Sequence, residues 1–302
     1  MIAVSSICSG ISPERAVEFV EELRGRLGGA RIGLELMPTT KTLAEAFRAY
    51  AMDHGVHIYS LHGPFLFRSG RSWAERAEVT FWQRHQGRVY SDSDGTLRLN
   101  NPAFKMSDYW GCPVIVHGPA ALGLVDGKRL VGKASVRVEN GKETLPDIVG
   151  GDFTPLKLAV RSAMQLKEVG VNVEGICLDI GHLAVDAVKH GWSGEPREFM
   201  EQFVRPAEYL ASKSDLGITE LHLHDFDVKR CRDHLELGTG RVPFEPILEH
   251  FLSRNPDLQL TLEIVPSAAQ YLALSYAHWG YEEILRRVEA SIRYLRCLGA
   301  PT

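Results

Sequence analysis

The sequence predicts an α/β protein of the (β/α)8 TIM-barrel class, a single domain over 1–302 with a long insertion after its third strand. Three observations predict it. Eight short apolar runs alternate with longer stretches of helical periodicity. The first run is not followed by the G-x-G-x-x-G of a doubly wound dinucleotide-binding sheet. Seven of the eight runs end in a carboxylate or an imidazole, at the end where barrels of this class carry their active sites.

The first four strand runs are IAVSSI (2–7), RIGLEL (31–36), VHIYSLH (56–62) and PVIVHG (113–118). The others are ASVRVEN (134–140), VEGICLD (173–179), TELHLHD (219–225) and LQLTLEI (258–264). The helical pattern SPERAVEFVEELRGRL follows the first run. Ser12 is placed to cap it, and Pro13 takes the first helical position, where a missing N–H costs nothing. TLAEAFRAYAMDHG and EEILRRVEASIRYLRCLG are further helices, and Pro243 or Pro246 marks the start of the one after strand seven.

Residues 67–103 form the insertion, with one helical patch (WAERAEVTFWQRH) and a turn at DSDG. Arg68, Arg71, Arg76, Arg84, Arg88 and Arg98 make it the one locally basic region. A loop of that length is a lid, a binding loop, an interface element or a solvated excursion. Trp73, Phe81 and Trp82 within it would close a pocket or pack against another subunit of a homo-oligomer. A second flexible connection spans 119–133.

Composition narrows the classes. With 44% hydrophobic and 24% charged residues, the chain can bury a full core. A formal net charge of −4 and a pI near 6.3 leave no general basic footprint for nucleic acid. No run approaches the roughly 18 apolar residues that span a bilayer, and the opening MIAVSSICSG lacks the charged and long apolar regions of a signal peptide. Cys8, Cys112, Cys177, Cys231 and Cys297 are scattered and never spaced as C-x-x-C. Free thiols in a reducing cytoplasm are expected, without a zinc–cysteine cluster, and Cys177 reads as a small core residue.

The strand ends carry the chemistry. Glu35, His62, His117, Glu139 and Asp179 end strands two to six, with His182 three residues beyond Asp179. His222 and His224 stand on strand seven, and Glu263 ends strand eight. Each alone has a structural explanation. Asp179 can cap a helix, Glu263 can pair with an arginine such as Arg137, and Glu35 is as readily structural as functional. Period two puts His222 and His224 on one face, so either can be the functional one. Together, converging carboxylates repel unless a cation sits among them. Oxygen and nitrogen ligands without cysteine suit Zn²⁺, Mn²⁺, Co²⁺ or Mg²⁺.

The pieces SLHGPF, VIVHGPA, VRVEN, CLDIGH, HLHD, DHLELGTGRVPF and LTLEIV, in this order over about 31–265, resemble the xylose isomerase-like barrel superfamily. That superfamily holds sugar isomerases and epimerases together with endonuclease IV-type enzymes. For the isomerases the resemblance implies one divalent metal on Glu139, Asp179, a histidine of HLHD (His222) and Glu263. Moving a carbonyl, or inverting a centre beside one, removes an α proton and forms an enediolate that a metal stabilises. Glu139 and Glu263 would exchange that proton. His182 is a further acid/base candidate or, with His117, would orient substrate hydroxyls. Arg230 is a candidate contact for an anion or hydroxyl.

The endonuclease IV-type alternative implies a multinuclear site that adds His62, His117, His182 and His234, acting on abasic DNA. That family places an aspartate two residues before the histidine matching His234, and Arg232 stands here. An arginine there weakens a third metal site and suits a phosphate. Gly238 and Gly240 of LGTGRVPF either allow backbone approach to a phosphate or merely shape a loop. The expected activity is therefore isomerisation or epimerisation of a sugar or sugar phosphate. A non-catalytic sensing barrel is a third class, with no positive feature in the sequence.

Overall fold

The computed structural model describes residues 1–9, 12–38, 45–63, 89–91, 97–99, 102–118, 133–141, 155–229, 232–265, 274 and 280–301. The patch WAERAEVTFWQRH, most of the rest of the insertion, nearly all of 119–133, Arg230 and Cys231 lie outside them.

Each of the eight runs forms a strand: β1 (Ile2–Ser5), β2 (Ile32–Leu36), β3 (Ile58–His62), β4 (Val114–His117), β5 (Ser135–Glu139), β6 (Asn172–Asp179), β7 (Ile218–Leu223) and β8 (Gln259–Leu262). All pair in parallel with their sequence neighbours, and β8 closes on β1 with Leu260 opposite Ile2. The chain is a closed eight-stranded (β/α)8 barrel.

The helices are α1 (Pro13–Arg26), α2 (Glu45–Asp53), α3 (Pro102–Trp110), α4 (Pro155–Glu168), α5 (Ile180–Lys189), α6 (Arg205–Lys213), α7 (Phe244–Leu252) and α8 (Tyr281–Cys297). Ser12 caps α1 by accepting from the Arg15 N–H, and Pro13 takes its first position as expected. Pro243, not Pro246, stands at the start of α7. The apolar core lies between strands and helices, where Ile32, Leu34 and Leu36 are buried with Val17, Val20 and Leu23. The insertion also holds a feature that the sequence reading missed. Val89–Ser91 and Leu97–Leu99 pair antiparallel on either side of the DSDG segment, which itself is outside the described residues. Among the described residues no helix is long and apolar enough to cross a membrane.

Candidate metal centre

Parallel register brings the strand-end residues to one height. His117 stands beside Glu139, and Asp179 beside His222. One ligand atom from each of Glu139, Asp179, His222 and Glu263 lies within 4.8 Å of the others, and all four side chains are buried. His62 and His117 join Glu139 in a second such group. His182, His224 and His234 make a third. The barrel mouth thus gathers every candidate ligand that the sequence singled out.

The hydrogen bonds sort these residues. His222 Nε2 lies 3.1 Å from Glu35 Oε2 and 3.4 Å from Glu220 Oε1, so its partners assign the ring proton to that nitrogen. His222 Nδ1 then faces Glu139 Oε2 at 3.6 Å and Glu263 Oε1 at 3.5 Å. Neither that nitrogen nor either Glu139 oxygen makes a well-formed hydrogen bond among the described residues. A buried carboxylate left that way is costly. Three carboxylates and one imidazole nitrogen within 4.8 Å of one another form a donor set that fits a divalent cation. Glu35, read as ambiguous from sequence, therefore holds the back of a candidate ligand.

His224 is oriented differently. Its Nδ1 accepts the His234 backbone N–H at 2.9 Å, which leaves the proton on Nε2 to be donated to Asp179 Oδ2 at 3.2 Å. Its ring lies where a Cβ on Gly181 would be, so only glycine fits there. Asp179 has the structural partner foreseen for it as well as its place in the cluster. It caps α5, accepting the His182 N–H on Oδ1 at 2.6 Å. Asn140 clamps its backbone with two hydrogen bonds of 2.8 and 2.9 Å.

Electrostatics follow from this crowding. Burial raises the Glu263 carboxyl, and Glu139 and Glu35 push it further, to about 7, against the pull of His222 and His62. For His62, burial opposes the charged ring, but Glu35, Glu139 and Glu263 outweigh it and bring it up to about 9. His222 is likewise driven up despite its burial. Burial works against ionising Glu139 and Asp179, yet neighbouring imidazoles hold both carboxyls well below their usual range. Without a cation, protons supply the positive charge that the cluster needs.

No protein-family profile and no curated protein sequence matches the chain. Solved structures do match it. A xylose isomerase domain protein from Planctomyces limnophilus is 14% identical, covering 98% of this chain and 95% of that one at a TM-score of 0.52. A D-psicose 3-epimerase solved in the presence of D-fructose is 13% identical over 98% of both chains, at 0.52. A 3-keto-D-glucoside 4-epimerase from E. coli is 12% identical over 98% of both, at 0.50. The chain shares the barrel fold of these structures. At these identities the likeness is one of architecture.

Within the barrel lies a second polar layer, two residues below the first, that the sequence reading passed over. Glu220 is fully buried beneath His222 and accepts from Arg137 Nη1 (2.8 Å), Gln259 Nε2 (2.6 Å), Thr261 Oγ1 and Ser60 Oγ. Arg137 also reaches Glu174 at 3.0 Å at the lower rim, so it serves this layer rather than Glu139 or Glu263. Cys177 is buried as expected, but it lies in the barrel interior beside Glu220 and His222. A signal was present: the residue two before each of His62, Glu139, His222 and Glu263 is polar, where such barrels usually stack branched apolar side chains.

Arg232 is exposed on a hairpin of Asp225–Asp227 and Arg232–Leu235. Gly240 donates its N–H to Asp225 Oδ2 at 2.8 Å, and a Cβ there would meet that carboxylate. Gly238 adopts a φ of +79° with its Cα side against the Tyr294 ring. Both glycines thus have a loop-shaping role in the structure.

Proposed function

We propose that the chain is a divalent-metal-dependent isomerase or epimerase of a sugar or sugar phosphate. The observation that carries this reading is the convergence of Glu139, Asp179, His222 and Glu263, with neither Glu139 oxygen nor His222 Nδ1 in a well-formed hydrogen bond among the described residues. Those four residues would hold the metal. When bound, it would supply the positive charge that stabilises an enediolate formed by loss of a proton α to a carbonyl.

The chain's own groups account for the rest. β5 and β8 stand three strands apart in a ring of eight, so Glu139 and Glu263 approach from different walls. One carboxylate takes a proton from a carbon held between them and the other returns it, which inverts that centre or moves the carbonyl. His117 is the partly exposed member of the group, and with His182 it lies where substrate hydroxyls would be received. Fixed partners for Asp179 and His222 keep these groups from reorganising during proton transfer. The fold shared with the two epimerases above supports the same reading.

The test is turnover on a panel of ketoses, aldoses and their phosphates, with the metal counted per chain by elemental analysis. Glu139→Gln and Glu263→Gln should each abolish turnover with the fold intact; activity retained in both sinks the reading. A second reading, an endonuclease IV-like phosphodiesterase, is favoured by the His62–His117–Glu139 group, which shares Glu139 with the first. Two or three ions per chain and nicking of abasic DNA would select it. Against it, Arg232 stands in place of an aspartate, and both nitrogens of His224 in the third group already have partners.

A further inference from the structure

His62, buried at the end of β3, bridges two carboxylates that stand on different walls of the barrel. Its Nε2 lies 3.5 Å from Glu139 Oε2 and 3.7 Å from Glu263 Oε1. His222 Nδ1 faces the same two oxygens, at 3.6 and 3.5 Å. Two imidazole nitrogens and two carboxylate oxygens therefore alternate around a ring with sides of 3.5 to 3.7 Å. Across that ring, His62 and His222, like Glu139 and Glu263, have ligand atoms within 4.8 Å of each other. Around a zinc ion with bonds of about 2.0–2.1 Å, ligand atoms at tetrahedral corners are about 3.4 Å apart. The observed spacing is close to that.

The backbone fixes the ring of His62 in this position. Its Nδ1 lies 3.1 Å from the Gly63 carbonyl oxygen, which assigns the ring proton to Nδ1 and the lone pair to Nε2, the nitrogen facing the carboxylates. Gly63 is itself held, because its N–H donates to the Ile115 carbonyl at 2.6 Å and a Cβ on it would meet that same oxygen. A backbone carbonyl behind an imidazole is the arrangement that orients histidines on metals. His117 differs: its side chain is 15% exposed and approaches Glu139 Oε2 at 3.2 Å. Asp179 divides its oxygens between His182 and His224, at 3.2 and 3.1 Å. His62 is thus the second imidazole that reaches both Glu139 and Glu263.

We propose that His62 is a direct ligand of the same ion as His222, Glu139 and Glu263, and that this second imidazole biases the centre toward Zn²⁺ over Mn²⁺ and Mg²⁺. The proposal rests on the metal-dependent reading above and adds one ligand to the four residues named there. Imidazole nitrogen suits zinc, whereas carboxylate and water oxygens suit manganese and magnesium. His62 on this ion is not available to a separate one shared with His117, so the assignment also separates this centre from the multinuclear alternative.

The test takes full-length protein stripped of metal and loads it with one equivalent of Co²⁺, a paramagnetic substitute for zinc. Two contact-shifted imidazole N–H signals should appear, from His62 Nδ1–H and His222 Nε2–H, both slow to exchange because both residues are buried. His62→Gln should remove one signal, keep the other, and still bind one ion per chain. By chelator competition its Zn²⁺ affinity should fall at least about a hundredfold and its Mn²⁺ affinity less than about tenfold. A single signal in the parent, or two that survive in His62→Gln, overturns the assignment; the parent spectrum decides if the variant does not fold. A parent that binds two ions, with a variant that loses just one, puts His62 on a second ion and overturns it as well. Equal losses of Zn²⁺ and Mn²⁺ affinity overturn the zinc bias. Sugar turnover with a single signal keeps the isomerase reading and removes the ligand, whereas two signals without turnover of any sugar do the reverse.

Discussion

Two polar layers lie stacked inside the barrel, and they solve the problem of buried charge in opposite ways. The lower layer is closed: each Glu220 oxygen has a donor, and Arg137 supplies the compensating charge. The upper layer is open: among the described residues neither Glu139 oxygen nor His222 Nδ1 makes a well-formed hydrogen bond, and four carboxylates and several imidazoles crowd together there. A satisfied network stiffens a core, whereas an unsatisfied one of this composition is a ligand site waiting for charge. His222 joins them, with one nitrogen in each layer.

Substitutions should separate the layers. The largest effect belongs to Glu139→Gln, which removes the carboxylate shared by two candidate ligand groups. Metal binding measured by chelator competition should be lost, while the metal-free protein keeps its fold and loses no more than about 3 kcal/mol near neutral pH, the attraction of Glu139 for neighbouring imidazoles. Large destabilisation would mean that the upper layer is structural too. In the lower layer, Arg137→Met strands Glu220 in a fully buried position and should cost about 3 kcal/mol in denaturant unfolding. A loss under about 1 kcal/mol would show that the lower layer does not need its cation.

Glu35→Gln tests the junction. The change keeps an acceptor for His222 Nε2–H but weakens it, so metal affinity should fall about 10–100-fold. The nitrogen shifts of His222 in the metal-free protein should show a less populated Nε2–H form. Unchanged affinity would assign the orienting role to Glu220 alone.

The smallest effect is the pH dependence of the metal-free protein. Glu263 is raised from 4.5 to about 7 and His62 from 6.5 to about 9, so both hold protons more tightly folded than unfolded. Their contribution is full below about 4.5 and is lost as pH rises, for Glu263 between 4.5 and about 7 and for His62 between 6.5 and about 9. The unfolding temperature should therefore decline through that window. Metal binding near pH 6 should release protons, seen as a calorimetric heat that varies with the buffer. A flat profile and buffer-independent heats would mean that the cluster does not compete with protons for its charge.

How much of this was legible differs by layer. The upper residues were readable because they end strands, and a strand end on a barrel has one destination. Glu220, Ser60 and Thr261 were passed over because a mid-strand polar residue reads as an outward or solvated position unless its neighbours in space are known. The insertion shows the converse limit. Its helical periodicity was plain, but the Val89–Ser91 and Leu97–Leu99 pairing needs contacts between strands that periodicity within one run does not encode.

The sequence by itself determined the barrel, its eight strands and the identity of the mouth residues, because alternation, capping and strand-end chemistry are local properties. Only the tertiary structure decided which histidine faces the cluster. His222 and His224 share a face, and what separates them is Glu35 from β2 and the His234 N–H from the hairpin, groups 187 and 10 residues away.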